Sequence, residues 1–287
     1  MISVNSKEAQ FDYNRTMKEQ QKTVLITGAS SGMGLATARY LAGKGYLVYA
    51  ASRTPKKLEG LHENIIPLLI DMTDPVSIQK ALIEIEQIDV LINNAGYGLV
   101  STVEEVTEEQ MKAQFDVNVF GVMRMCKAVI PKMRVQGSGV IINISSFLGK
   151  IGLPLLTFYN ASKYAVEGIT DSLRYELRAF GIRVHSVMPG FFDTNFAREN
   201  LVTNSETFSK DSVYAPLVST LAPTIVQQIN SGNDATEVAK LIHGIIIDPK
   251  SPARQTAGDK ARKFIPMRRE LSDEDFERRV RAYYGLG

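Results

Sequence analysis

Hydrophobic residues along the chain form short continuous runs that alternate with longer amphipathic stretches. Six of these runs have the nearly continuous apolar character of strands that are buried on both faces. They lie at residues 23–28, 46–52, 65–71, 90–96, 139–146 and 183–190, and a seventh is expected later in the chain. Because strands that alternate with helices form parallel sheets, the pattern predicts a doubly wound α/β fold of about seven strands with helices on both faces.

Two amphipathic stretches carry helix signals. The stretch 34–45 ends at Gly43 and Gly45, residues that favour the end of a helix. The stretch 107–133 begins with Thr107 and Gln110 at capping-box spacing, in which each side chain bonds the backbone of the other residue. We therefore predict a helix that begins directly after Thr107.

The same pattern divides the chain into three parts. Residues 1–20 are polar and are expected to form an N-terminal extension. Residues 21–250 are expected to form one α/β domain, with a lid over its ligand at 191–235. Residues 251–287 mix acidic and basic residues and are expected to form a helical tail that completes the ligand-binding side.

Composition and charge indicate which kinds of molecule the protein binds. The 287 residues are 44% hydrophobic and 22% charged, with a net charge of +2. This balance gives no reason to expect a nucleic acid, and no apolar run approaches the roughly 18 residues that a membrane span needs. We expect a small-molecule ligand, no nucleic-acid partner and no membrane span.

Cysteine and histidine exclude two further kinds of site. Cys126 is the only cysteine, so no disulfide can form within the chain. A single cysteine and a leader without a secretory apolar core predict a cytoplasmic location. His62, His185 and His243 are widely spaced and match no ligand pattern, so no metal is expected.

The first strand ends in the sequence TGASSGMG, a glycine-rich turn that opens into a helix. Glycine lets the backbone approach a ligand closely, and a helix N-terminus presents unpaired N–H groups to an anion. The turn therefore predicts a pyrophosphate site formed by Gly28, Ser30, Ser31, Gly32, Met33 and Gly34. Its G-x-x-x-G-x-G spacing departs from the G-x-G-x-x-G fingerprint, so a plain glycine-rich turn is the alternative.

The end of the second strand indicates which nucleotide binds. An acid there would bond a ribose 2′-hydroxyl, but no acid occurs between Gly28 and Leu58. Instead the strand ends in Ser52 and Arg53, and a guanidinium suits a 2′-phosphate. We therefore predict NADP(H) as the cofactor; the alternative is that these cations belong to a solvated loop.

Tyr159 and Lys163 lie four residues apart in a stretch without proline or glycine between them. Residues at this spacing share one face of a helix and can act on one site. A free tyrosine, with a pKa near ~10, is a poor acid or base at neutral pH. A nearby ammonium favours the phenolate, and an oxidised nicotinamide would add a second positive charge. We therefore predict that Lys163 and the bound cofactor together lower the pKa of Tyr159.

Together these motifs resemble the single-domain branch of the short-chain dehydrogenase/reductase family. The resemblance covers about residues 22–250, and its first two strands look most like the NADP-dependent hydroxysteroid dehydrogenases. It implies a Rossmann-type fold and a homodimer or homotetramer. The matching features, in family order, are TGASSGMG, Asp71, NNAG at 93–96, Asn118, Ser146, Tyr159 with Lys163, and PGFFDT at 189–194.

The resemblance assigns catalytic roles. It implies that Tyr159 exchanges a proton with the substrate oxygen, that Lys163 holds the nicotinamide ribose, and that Asn118 positions a water. Strand side chains alternate between faces, so only one of Ser145 and Ser146 can point into the site. Family spacing selects Ser146, which would polarise the substrate oxygen.

The resemblance also assigns further cofactor contacts. Asp71 would accept a hydrogen bond from the adenine amino group. The loops that follow the third, fourth and sixth strands would provide the rest, namely Met72, Asn94, Ala95, Gly96, Pro189, Gly190 and Thr194.

These assignments predict an NADP(H)-dependent oxidoreductase that interconverts a ketone and a secondary alcohol. The alternative is a non-catalytic, NADP(H)-sensing protein on the same fold, which would need no acid over the nicotinamide. Bulky residues near the site favour an apolar substrate, although each could instead pack the core: Phe147, Leu153, Leu155, Phe158, Phe191, Phe192, Phe196 and Phe208. An acidic run, Glu104, Glu105, Glu108 and Glu109, is expected to be a solvated helix start.

Overall fold

The computed structural model describes residues 21–194 and 200–286. The predicted extension at 1–20 and Phe196 lie outside these ranges. The strands are β1 (Thr23–Thr27), β2 (Leu47–Ser52), β3 (Ile65–Leu69), β4 (Val90–Asn93), β5 (Gly98–Val100), β6 (Gly139–Ile144), β7 (Ile182–Pro189), β8 (Phe192–Asp193), β9 (Leu201–Thr203), β10 (Asn233–Asp234) and β11 (Arg254–Ala257). The α-helices are α1 (Gly32–Gly43), α2 (Pro75–Ile83), α3 (Glu108–Phe115), α4 (Gly121–Gln136), α5 (Thr157–Leu177), α6 (Ala215–Asn230), α7 (Thr236–Ile247), α8 (Asp259–Glu270) and α9 (Asp273–Tyr284).

A 7-stranded sheet forms the centre of the fold, in the order β11-β7-β6-β4-β1-β2-β3. All of its neighbouring strands run parallel, which confirms the predicted doubly wound, Rossmann-type architecture. The strand order reverses direction between β1 and β4. In such sheets the ligand crevice lies beyond the carboxyl ends of the strands at this reversal.

The two edge strands of the sheet, β3 and β11, have features that the apolar pattern does not predict. Pro67 lies within β3, which is possible because β3 is an edge strand and needs hydrogen bonds on one side only. The seventh strand, β11, lies at Arg254–Ala257 and pairs with β7. The sheet therefore continues past residue 250, where we expected the α/β domain to end.

Alternating side chains of the strands build a hydrophobic cluster on each face of the sheet. Ile26 packs in one cluster with residues of α1 and α7. Leu25, the adjacent residue, packs on the other side with residues of α2, α4 and α5. Cys126 lies in this second cluster, where burial raises the pKa of its thiol to about 12. The cysteine is therefore a packed apolar residue and not a reactive thiol.

A third cluster joins the loop before α5 to the C-terminal helices α8 and α9. It contains Phe147, Leu153, Leu155 and Phe191, together with Phe264 of α8. The first four are candidate substrate-pocket residues by sequence, and the structure shows the alternative, in which they pack the core. Of the other residues in that set, Phe192 packs in the first cluster, Phe158 is partly buried, and Phe208 is 39% exposed.

The helix predicted from Thr107 begins there. Thr107 accepts from the backbone of Gln110, and Gln110 accepts from the backbone of Thr107, so the predicted capping box is present. The helix does not run unbroken to residue 133, because Asp116–Phe120 forms a π-helical turn between α3 and α4. Such turns are frequent at functional sites. In the described ranges, none of the helices is both long enough and apolar enough to cross a bilayer.

Candidate active site

The glycine-rich turn after β1 is shaped for close approach of a ligand. Gly28 has a φ of +66°, a conformation that side chains disfavour. A Cβ on Gly34 would lie 2.3 Å from the carbonyl oxygen of Gly28, so only glycine fits there. Ser31 caps α1 without a side-chain hydrogen bond to the helix, and the first turn of α1 carries no acid. The first N–H groups of α1 can therefore receive an anion, as a pyrophosphate site requires.

The chain after β4 closes against this turn. The side-chain amide of Asn94 donates to the carbonyl oxygens of Thr27 and Gly28 at 2.9 and 3.1 Å. The hydroxyl of Thr27 accepts from the backbone N–H groups of Asn94 and Ala95. Asn94 thus fixes the shape of the glycine turn. Thr27 was missed in the sequence, where it looks like an ordinary strand residue.

Polar side chains rim the crevice at the ends of β2 and β3. The hydroxyl of Ser52 accepts from the backbone of Thr54 at 2.9 Å, which turns the chain at Arg53. Asp71 accepts from the backbone and hydroxyl of Thr73. These bonds, and more weakly the charge of Arg53, lower the pKa of Asp71. A carboxylate and a guanidinium are thus held near one another beside the glycine turn.

These groups line one cleft of about 1,110 Å³. It is large enough for a dinucleotide and part of a substrate. Leu99, Val117 and Val202 add apolar surface to its wall. Its wall includes these predicted residues: Gly28, Ser30, Ser31, Gly32, Met33, Gly34, Ser52, Arg53, Asp71, Met72, Asn94, Ala95, Gly96, Tyr159, Lys163 and Thr194.

Tyr159 lies in the first turn of α5, at the wall of the cleft. Burial raises the pKa of its phenol to about 12, and a hydrogen bond with the Ser146 side chain opposes this rise. The Lys163 ammonium lies 5.7 Å from the centroid of the tyrosine ring. In the protein without its cofactor, desolvation thus outweighs the hydrogen bond from Ser146. The predicted lowering of the pKa also depends on the positive charge of the oxidised nicotinamide, so it stays a prediction. Without the cofactor, the phenol is therefore protonated at neutral pH.

Lys163 is buried one turn further along α5. Its ammonium donates to the carbonyl oxygen of Ile144 at 2.9 Å, at the end of β6. Burial lowers the pKa of this lysine to about 8, while the charge of Glu167 opposes the decrease. A Cβ on Gly96 would lie 3.7 Å from the lysine nitrogen, an ordinary contact distance, so the end of the NNAG loop packs directly against Lys163.

Asn118 occupies the π-helical turn and is 1% exposed. Its amide donates to the Tyr97 carbonyl at 2.9 Å and to the Ser162 hydroxyl at 3.1 Å. Its carbonyl oxygen accepts from the backbone of Tyr97 and lies 3.1 Å from the Cβ position of Gly96. Asn118 and Lys163 therefore meet at Gly96, which agrees with a shared role.

The two serines after β6 have different partners. Ser146 accepts from the backbone of Leu148 at 3.1 Å and bonds the side chain of Tyr159. Ser145 donates to the carbonyl of Lys163 at a long 3.4 Å, although it also belongs to the cleft wall. Ser146 is thus the serine that the structure joins to Tyr159.

The loop after β7 reaches the cleft through Thr194. Its side chain lies 3.4 Å from the Cβ position of Gly32, so it covers the glycine turn. Pro189 is buried at the end of β7. Gly190 packs against the start of α8, where a Cβ would lie 3.0 Å from the Ala261 nitrogen. Among the described residues, four of the predicted site residues do not belong to the cleft wall, namely Asn118, Ser146, Pro189 and Gly190.

Two further features differ from the sequence-based expectations. Glu104 and Glu105 are not simply solvated, since they accept from Tyr214 and Ser212 and so hold the later segment against this loop. Glu167, unnoticed in the sequence, is a buried carboxylate one turn after Lys163. Across 21–194 and 200–286, no group of three or more His, Cys, Asp or Glu residues could hold a metal ion.

Comparison with known proteins identifies this arrangement. Residues 22–204 match the family described as short chain dehydrogenase. A 3-ketodihydrosphingosine reductase of Bacteroides thetaiotaomicron is 37% identical over 272 residues, which cover 93% of this chain and 99% of that protein. The chain belongs to the short-chain dehydrogenase family. It is therefore an oxidoreductase; the narrower resemblance to hydroxysteroid dehydrogenases stays a prediction.

Solved structures of the family share the fold and bind nicotinamide nucleotides. A short-chain dehydrogenase of Burkholderia cenocepacia in complex with NADP has a TM-score of 0.72 at 24% identity, covering 92% of this chain and 97% of its own. A member from Burkholderia phymatum in complex with NAD has a TM-score of 0.73 at 26% identity, covering 90% and 95%. Both cofactors thus occur among similar dehydrogenases.

Proposed function

We propose that this dehydrogenase reduces an apolar, long-chain ketone to a secondary alcohol, reversibly, with NADP(H). The observation that carries the proposal is the meeting of Tyr159, Ser146 and Lys163 beside the cleft that begins at the glycine turn. This supports a site in which an acid, a hydrogen-bond donor and a cation act on one substrate oxygen.

The cleft residues fit a nicotinamide nucleotide, and each catalytic residue has a separate role. When bound, the nicotinamide supplies or accepts the hydride. Tyr159 gives its proton to the carbonyl oxygen during reduction, and Ser146 donates a hydrogen bond to the same oxygen. Lys163 binds the ribose and stabilises the phenolate that remains on Tyr159. Asn118 holds the backbone beside Lys163 and so keeps this arrangement in place.

The choice of NADP(H) over NAD(H) rests on the rim of the cleft. Arg53 and Lys57 both belong to the wall near Ser52. A guanidinium binds a 2′-phosphate through paired, charge-assisted hydrogen bonds that a 2′-hydroxyl cannot provide. Asp71 accepts from the adenine amino group, and the uncapped N-terminus of α1 receives the pyrophosphate.

The substrate class is supported by the apolar part of the cleft and by the similar reductase. Leu99 and Val202 face each other across the β5 and β9 pair and belong to the wall. Because the 37% identical relative is named for 3-ketodihydrosphingosine, this long-chain ketone is the first compound to test.

The deciding experiment compares two tyrosines of the same helix. The purified protein is assayed with NADPH and NADH against 3-ketodihydrosphingosine, short apolar ketones and sugars. Tyr159→Phe is expected to lose about 10²–10⁴-fold in turnover while it still binds NADPH. Tyr164→Phe, a control at a residue 47% exposed, should keep full activity. Unchanged turnover in Tyr159→Phe, or equal use of sugars, would contradict the proposal.

We also propose that the protein forms a homodimer or homotetramer through α4 and α5. Large apolar side chains are exposed around these helices, among them Phe120 at 50%, Met123 at 48% and Tyr175 at 84%. Light scattering after size-exclusion chromatography tests this, and a monomer at micromolar concentration would contradict it.

A further inference from the structure

Glu167 is an acidic residue in a place where acids rarely occur. It lies one helical turn after Lys163 on α5 and is only 3% exposed. Charged side chains are almost never this buried unless they are paired. The partners of Glu167 therefore indicate what its charge does.

Three side chains from three other segments bind this carboxylate. The hydroxyl of Ser186 on β7 donates to one oxygen through a short hydrogen bond. Arg254 on β11 donates to the other oxygen at 2.6 Å, and the Lys150 ammonium lies 3.1 Å from it. Ser186 and Arg254 are paired residues of neighbouring strands, so the strand register places both donors beside Glu167.

These contacts connect Glu167 to the catalytic residues on two sides. Lys150 directly follows the short helical turn that the Ser146 hydroxyl caps. Lys163 is four residues before Glu167, and residues at this spacing are neighbours on a helix surface. The carboxylate thus lies where it can act on the lysine and on the loop that carries the serine.

The charged groups around Lys163 have opposing effects on its pKa. On α5 it has Tyr159 on one side and Glu167 on the other, and Asn118 faces it from the π-helical turn. Lys150 and Arg254 are cations that partly neutralise Glu167. Asp171, one turn further, pairs with Arg254 at 2.5 Å and balances that cation. Glu167 is the acid that raises the pKa of Lys163, against burial, which lowers it.

We propose that Glu167 is a positioning residue whose fixed carboxylate supplies a negative charge one helical turn from the Lys163 ammonium, at the buried base of the cleft. Arg254 and Ser186 hold the carboxylate in place, so its negative charge stays one turn from the lysine. The catalytic meaning of this proposal rests on the proposed function, since the ammonium matters only if it serves Tyr159 and the ribose.

The experiment measures the pKa of Lys163 directly in the cofactor-free protein. The protein is labelled with ¹³C-lysine, and the side-chain resonance of Lys163 is assigned by its loss in Lys163→Met. In Glu167→Gln the pKa of Lys163 is expected to fall by about one unit, because an amide of the same shape lacks the charge. Glu167→Asp keeps a carboxylate and should restore part of the shift.

The matched control is Asp171→Asn. This variant removes a carboxylate from the same arginine on the same helix but two turns from Lys163. Its lysine pKa should change by much less than that of Glu167→Gln. Lys150→Gln gives a second test of opposite sign, since removing this cation leaves Glu167 less neutralised and should raise the pKa of Lys163.

A second measurement relates the pKa to function. NADPH binding and ketone reduction should both decrease at high pH, as Lys163 loses its proton. In Glu167→Gln this decrease should occur at a lower pH, displaced by the same amount as the pKa of Lys163. A Lys163 pKa that is equal in the wild type, Glu167→Gln and Lys150→Gln overturns the proposal. If Glu167→Gln does not fold, Glu167→Asp decides, because withdrawing the carboxylate by one methylene should lower the pKa of Lys163 by a smaller amount. Shifted lysine pKa values without any ketone turnover would refute the proposed function alone.

Discussion

Arg53 is exposed at the end of β2, in the wall of the cleft. Its substitution by alanine should raise the KM for NADPH by about 10- to 100-fold, matching the ~1.5–3 kcal/mol of a hydrogen bond to a charged group. The KM for NADH should change little. Arg39→Ala, at an exposed arginine of α1, is the control. Equal losses for both cofactors would show that Arg53 does not contact the 2′-phosphate.

Lys163 costs the folded protein stability. Burial lowers its pKa from 10.5 to about 8, so the folded state binds its proton less tightly than the unfolded state. The loss of stability is complete below pH 8, where the lysine is charged in both states. It disappears as the pH rises past 10.5, the pKa of the lysine in the unfolded state. Lys163→Met should therefore stabilise the protein by roughly 1–3 kcal/mol at pH 7, and less near pH 10.

Chemical denaturation at the two pH values measures this difference, with Lys250→Met as the control at an exposed lysine. A Lys163→Met variant that is less stable at pH 7 would contradict the expectation. Its loss of turnover would then reflect unfolding and not the missing ammonium.

The residues of the candidate site were visible in the sequence because their types and order are specific. Their electrostatics were not. The direction of the Tyr159 pKa depends on how much protein surrounds the phenol, and spacing along a helix carries no information about desolvation. Glu167 was missed for a related reason, since its partners Ser186 and Arg254 come from distant strands.

Among the elements, the start of α3 offers a local test. Thr107→Ala removes the side chain that accepts from Gln110, and loss of such a cap typically costs about 1 kcal/mol. Thr224→Ala, in the interior of α6, is the control because its hydroxyl bonds only a helix carbonyl and alanine favours helices. Urea denaturation of both variants measures the difference, and equal stabilities would argue against the cap.

The elements that could be predicted are those with strong local signals. The strands β1, β2, β3, β4, β6 and β7 have apolar runs, and two residues at fixed spacing are enough to predict the capping box. The π-helical turn has no such signal, because it depends on how Asn118 meets Tyr97 and Ser162. The strand β11 reads Arg-Gln-Thr-Ala, which has no apolar run, and only its pairing with β7 makes it a strand.

For the whole molecule, the C-terminal segment belongs to the structural core. A chain that ends at residue 250 would lose β11 and the helices that cover Phe147 and Phe191. We expect the truncated protein to unfold without a cooperative thermal transition and to bind an apolar dye. The full chain should unfold cooperatively and should not bind the dye. A sharp transition at the wild-type temperature in calorimetry would show that residues 21–250 fold alone.

The pairing of Arg254 with Glu167 also has a consequence for synthesis. The chain leaves the ribosome from its N-terminus, so the glycine turn, Tyr159 and Lys163 are exposed to the cell well before Arg254 is made. Until that arginine arrives, the Glu167 carboxylate lacks one of its two cations and the last strand of the sheet is absent. The nascent protein can therefore complete its sheet and the ion pairs of Glu167 only late in translation.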